Sequence, residues 1–194
     1  MRFLGSLAIF LATAQAAVTA DNIITTLNAF KDAATELQDD GRQVDAESCV
    51  SFEKDQGPLS VRLRKDLRQR RSATHRVRGI AGWLPDYCAG PQANDILEAY
   101  AGFVDAHQRL FNILSHKAAE IAEVRKNIYP AAGGAVVTSL TDVKRIATSM
   151  AGFMDGHLPC KKHGIQKESD KMSRSMGICM RKWKKVCGKD CGKA

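Results

Sequence analysis

Two residue types in this chain are equipped for chemistry, histidine and cysteine. The histidines are His75, His107, His116, His157 and His163. Histidine is the general acid–base residue of neutral pH and a common metal ligand, so their spacing decides what they can do together. No His-Glu-x-x-His pair is present to hold zinc, no Gly-x-Ser-x-Gly supplies a nucleophile, and no Gly-Lys-Ser/Thr follows Gly133-Gly134 to make a phosphate loop. Asp105 and His107 stand two apart, which on a helix points them in different directions. His107 falls on an apolar helical stripe and is read as a core histidine making one hydrogen bond; His116, nine residues on, falls on the opposite side. No catalytic residue is assigned, no cofactor is implied, and the expectation is a non-enzymatic protein.

The cysteines are Cys49, Cys88, Cys160, Cys179, Cys187 and Cys191. Zinc would use them as thiolates, but the run from Cys160 to Cys191 contains no CxxC pair. An even count in an exported chain argues instead for three disulfides, drawn from 15 formal pairings. Proximity along the chain suggests Cys49 with Cys88 and leaves the other four to knit the C-terminal segment.

Export is read from the N-terminus. Arg2 is followed by a short apolar run through Ala14 and then by small residues, the pattern of a signal peptide over residues 1–20. Ala14-Gln15-Ala16 fits cleavage after Ala16, and Val18-Thr19-Ala20 offers a second site before Asp21. The apolar run falls short of the roughly 20 residues a membrane span needs. The expected location is extracellular or cell wall. No Asn-x-Ser/Thr sequon is present, and Arg70-Arg71 reads as part of an exposed helix face rather than a processing site.

Charge is segregated. Residues 160–194 hold 11 Lys/Arg against 3 Asp/Glu, whereas residues 21–159 hold 17 against 18. The basic excess of the exported chain therefore sits in its last fifth. A second basic cluster, Arg62 to Arg78, is balanced by acids elsewhere, especially Asp39 to Asp55.

These residues must be carried on helices, because apolar residues recur at spacings of three and four and alternating runs are missing. The first helix is expected from Asn22 to Leu37, with Ile23, Leu27, Phe30, Ala34 and Leu37 as its stripe, Asp21 as N-cap and Asp39-Asp40-Gly41 as its stop. A less regular region, Val44 to Trp83, is broken at Gly57-Pro58 and should hold a short helix and a longer one, Leu59 to Ile80. The clearest helix is Gln92 to Ile128, capped by Asn94 or Asp95 and stopped by Pro130 and Gly133-Gly134. A fourth starts near Ala135 and carries Val136, Leu140, Val143, Ala147, Met150 and Met154. The fifth, Gln166 to Val186, sets Met172, Met176, Cys179, Trp183 and Val186 against a Lys/Arg-rich face.

The fold class that follows is all-α, an antiparallel bundle of about five helices stabilised by disulfides. Residues 21–159 form its core, and residues 160–194 form a basic, Cys-rich helix and tail docked on it. The basic helix admits two readings, a solvated face or contact with an anionic surface through Lys182, Lys184, Lys185 and Lys189. Nucleic acid is not an expected partner, because few aromatics interleave with the lysines.

The run Ile96-Leu97, Phe103, His107, Leu110, Leu114 and Lys117-Ala118, then Ile128-Tyr129-Pro130, a small-residue turn and a helix ending Phe153 to Leu158-Pro159, resembles the fungal hydrophobic-surface-binding protein A family, also called cell-wall galactomannoproteins. The resemblance spans about residues 21–183 and rests on helix lengths, the signal peptide and apolar spacing. It implies a secreted bundle that binds apolar surfaces or holds a fatty-acid-like ligand between helices. Phe103, His107, Leu110 and Leu114 on the long helix, with Val143, Met150 and Met154 on the next, are the candidate lining. The chain departs from that family in its six cysteines and lysine-rich end. That departure supports a second expectation, a disulfide-stabilised effector whose basic face engages an anionic membrane, polysaccharide or host protein.

Overall fold

A computed structural model describes residues 19–45, 87–125 and 130–188. Among them four α-helices carry the architecture: α1 (Ala20–Arg42), α2 (Gln92–Arg125), α3 (Pro130–His157) and α4 (Lys162–Cys187), with single 3-10 turns at Tyr87–Ala89 and Pro159–Lys161. No strand occurs among the described residues. The expected helices between Val44 and Trp83 lie outside the described residues, apart from Val44 and Asp45, which follow α1. So does Arg70-Arg71.

The periodic stripes form where their spacing places them, but the ends shift for identifiable reasons. α1 begins earlier than its stripe requires because Thr19, not Asp21, is the N-cap: its hydroxyl accepts from the Asn22 amide at 3.2 Å. α1 also runs through Asp39-Asp40-Gly41, since Gly41 is buried against Leu110, Ile113 and Leu114. Asn94 and Asp95 lie inside α2 rather than capping it; Asp95 sits in the first turn, where a carboxylate complements the helix dipole. Pro130 opens α3 instead of ending α2, using the first helical position, where a missing N–H costs nothing. Gly133-Gly134, expected as a break, is helical and buried, because here the α3 backbone meets Cys187.

The packing order is α1, α2, α4, α3: α2 packs on α1 and α4, and α3 packs on α4. The long sequential helices α2 and α3 are thus separated by α4. Directions follow from the contacts. Phe30 meets Phe103 edge-on at 6.3 Å, Gln38 Nε2 donates to the Ala106 carbonyl at 3.1 Å, and Gly41 meets Leu110, so α1 and α2 run parallel. Leu97 meets Gly164, the Tyr100 and Ser169 hydroxyls share a hydrogen bond of 2.8 Å, and Gln108 donates to the Lys171 carbonyl, so α2 and α4 are parallel too. Only α3 and α4 pair antiparallel, with Gly133 on Cys187 at one end and Lys162 on Asp155 at 3.2 Å near the other. The antiparallel arrangement expected throughout therefore holds for one of three packed pairs. Parallel neighbours need a return segment, and α3 is that segment between α2 and α4.

One apolar core joins all four helices, including Leu27, Ile96, Tyr100, Phe103, Met154, Met172, Met176 and Trp183. A fully buried large side chain contributes roughly 1.5–3 kcal/mol through surface removed from water. α4 buries Ile165, Met172, Met176, Cys179, Trp183, Val186 and Cys187 in this core. It is a structural member lying between two others.

Cys88 is bridged to Cys160, with the Cα atoms 5.8 Å apart, and ties the turn before α2 to the turn between α3 and α4. This corrects the expected pairing of Cys88 with Cys49. Chain proximity misled because α2 and α4 start side by side, which brings residues 72 apart in sequence together. Cys187 is disulfide-bonded as well. Cys179, expected in a bridge, is a free buried thiol. Its place on the core face of α4 makes it a small apolar residue. Cys49 and Cys191 lie outside the described residues.

Candidate functional site

The residues expected to line a ligand slot do not share a wall. Leu110 packs with Ala34 and Ala106, and with Leu37 and Leu114 beside them, in a small cluster between α1 and α2. Phe103 stacks on Tyr100 at 5.8 Å and meets Phe30 of α1. Val143, Met150 and Met154 belong to α3, which packs on α4. The two halves of the expected lining therefore occupy different interfaces, with α4 between them. Phe103, His107 and Met154 are each 1% exposed and sit inside packed core.

His107 behaves as the core histidine its stripe implies. Its Nδ1 lies 2.8 Å from the Phe103 carbonyl one turn back, and its ring is tilted against Phe103 at 4.3 Å. No group of three or more His, Cys, Asp or Glu side chains suited to a metal ion occurs among the described residues. Cys179 is the other buried reactive group. Desolvation pushes its thiol up to about 11, against a hydrogen bond from Ser115 and the charge of Lys182, which both pull it down. A thiol so raised is protonated at neutral pH and is a poor nucleophile.

The outward face of α4 is different in kind. Turning 100° per residue, a helix with Ile165, Met172, Met176, Trp183 and Val186 facing the core directs Lys167, Arg174, Ile178, Arg181 and Lys185 to the opposite side. All five are exposed. Lys167, Arg174 and Arg181 recur every seven residues, about 10.5 Å per step, and the run to Lys185 spans about 27 Å at 1.5 Å per residue. The stripe is single because seven residues nearly complete two turns, so its side chains stay within one sector.

Electrostatics separates this stripe from the other lysines. Lys171 is paired with Glu168 at 2.6 Å and Lys162 with Asp155 at 3.2 Å. Lys167, Arg174, Arg181, Lys184 and Lys185 have no carboxylate partner among the described residues. Only Asp170 puts a negative charge on the outward face, where it lines a shallow open depression with His163, Gln166, Lys167 and Arg174. Arg174 Nε donates to the Asp170 backbone carbonyl at 3.3 Å. Of the expected contact residues, Lys184 and Lys185 are exposed, Lys182 is half-buried on the flank, and Lys189 lies outside the described residues. Lys167, Arg174 and Arg181 were not singled out from sequence, although their seven-residue repeat was the signal available.

The apolar face of α4 is committed to the core, with Met172, Met176, Trp183 and Val186 each 1–2% exposed. Among the described residues no helix is long and apolar enough to cross a membrane. Comparison with protein-family models, with curated proteins and with solved structures finds no match to this chain.

Proposed function

We propose that this chain is a secreted, non-enzymatic binding protein that docks onto a polyanionic target through the outward face of α4. The observation that carries the reading is the run of exposed cations, Lys167, Arg174, Arg181 and Lys185, on one face of a helix whose other face is locked in the core. A solvated helix face ordinarily intersperses both signs, which neutralises its field. This one keeps a single sign over about three turns from Arg174 to Lys185. Such a field steers an anionic partner and raises its encounter rate. Export is supported by the N-terminal pattern and by the Cys88–Cys160 bridge, because disulfides persist in oxidising compartments. An internal fatty-acid slot between the second and third described helices draws no support from the placement of its candidate residues.

The test is retention of the purified protein on immobilised heparin, used as a generic polyanion, across a salt series. Retention that falls steeply with salt is expected, because exposed charges lose their reach as the Debye length shrinks from about 10 Å at 0.1 M to about 3 Å at 1 M. No retention at low salt would overturn the reading.

A further inference from the structure

Resting on that reading of α4, we infer that the anionic target is a phospholipid leaflet and that Ile178 is the apolar anchor within the cationic stripe. Ile178 is 46% exposed and is the one exposed large hydrophobic side chain among the described residues. A single exposed aliphatic residue is common on protein surfaces and means little alone. Its position supplies the meaning. Arg174 lies one turn before it, and Arg181, Lys182 and Lys185 follow within two turns, so this aliphatic residue is flanked along the helix by cationic residues on both sides.

A sulfated or carboxylated polymer uses the cations and has no use for the isoleucine. A leaflet rich in acidic headgroups uses both: phosphate and carboxylate groups meet Arg and Lys, and the boundary of the acyl chains takes the side chain between them. The long cationic side chains bend sideways to the headgroups and let the shorter Ile178 approach the surface.

The fold limits how deep the contact goes. α4 cannot roll its apolar face toward the bilayer, because Met172, Met176 and Trp183 are held in the core. The bridged Cys160 lies just before its start, and the bridged Cys187 closes its end. Attachment is thus peripheral, salt-reversible and confined to headgroup depth.

The experiment is co-sedimentation of the full exported chain with vesicles of phosphatidylserine and phosphatidylcholine, and with vesicles of phosphatidylcholine alone, beside retention on heparin. Binding to the mixed vesicles and not to the neutral ones is expected, with release at high salt. Ile178→Ser should weaken vesicle binding about tenfold, the scale of losing one aliphatic side chain's burial, and leave heparin retention unchanged. Because Ile178 is exposed, an unchanged thermal melt is expected to accompany it. Heparin retention without vesicle binding would overturn the lipid target and leave anion docking standing. Vesicle binding indifferent to Ile178→Ser would overturn the anchor. Failure on both matrices would overturn both readings.

Discussion

Gly133 of α3 approaches Cys187 of α4 so closely that a methyl group on Gly133 would stand 2.7 Å from both the Cys187 Cβ and its backbone nitrogen. The atoms in the way belong to the helix itself, so no flexible tip can swing aside. Gly133→Ala is expected to destabilise the fold by about 1–3 kcal/mol, the usual cost of forcing extra volume into a packed interface. Gly152→Ala on the same helix is the control, since nothing lies within 4 Å of the added carbon. That variant should be neutral or gain up to about 1 kcal/mol from helix propensity. Urea unfolding of the two variants beside the parent measures the difference. Equal midpoints would contradict the close approach of α3 and α4.

Cys179 predicts an alkaline loss of stability. Its thiol holds its proton up to about pH 11 in the folded chain and, from its ordinary value of 9.0, releases it earlier when unfolded. Between those values the unfolded state binds fewer protons, so stability falls as pH rises. The contribution is fully present below pH 9 and is lost through pH 11, at about 1.4 kcal/mol for each pKa unit. Tyr87 and Tyr100, also raised by burial, act in the same direction. Cys179→Ala should flatten the decline between pH 9 and 11. An unchanged alkaline limb would show that the thiol is not buried as described.

Thr19 bears on where the exported chain starts. Its hydroxyl caps α1, and Ala20 behind it is buried. Cleavage before Asp21 would remove both, whereas cleavage after Ala16 keeps them. Mass spectrometry of the secreted product is expected to show Ala17 as the first residue. Thr19→Ala should cost about 1 kcal/mol, the typical worth of such a cap. A product beginning at Asp21 would mean that α1 starts without its cap.

The stripes made the helices legible from sequence, because burial of residues three and four apart acts along one chain segment and needs no knowledge of neighbours. Ile96 through Ile121 is the clearest case. What the stripes did not carry was partner choice. Leu110 and Met154 are equally apolar, yet one faces α1 and the other belongs to a helix packed on α4. Periodicity says that a side chain goes inward and is silent about what it meets. The bridge of Cys88 to Cys160 was hidden for the same reason, since parallel packing of α2 and α4 is a tertiary fact. Gly133-Gly134 read as punctuation because glycine ends helices often; here it serves close approach, which only the Cys187 contact reveals. On the binding face, Lys184 and Lys185 stood out as a cluster. Arg174 and Arg181 stand seven residues apart and form no cluster along the chain; only the helix turn brings them onto one face.

Docking through α4 requires the charge to act by its location, beyond its amount. Two double variants with the same change in net charge separate these. Arg181→Glu with Lys185→Glu reverses the α4 stripe, and Lys31→Glu with Lys144→Glu reverses exposed lysines on α1 and α3. The salt concentration that elutes each from immobilised heparin is the measurement. The α4 variant is expected to elute far earlier than the parent and the distal variant close to it. Equal shifts for the two variants would show that attraction is a property of overall charge, and the docking face on α4 would be withdrawn.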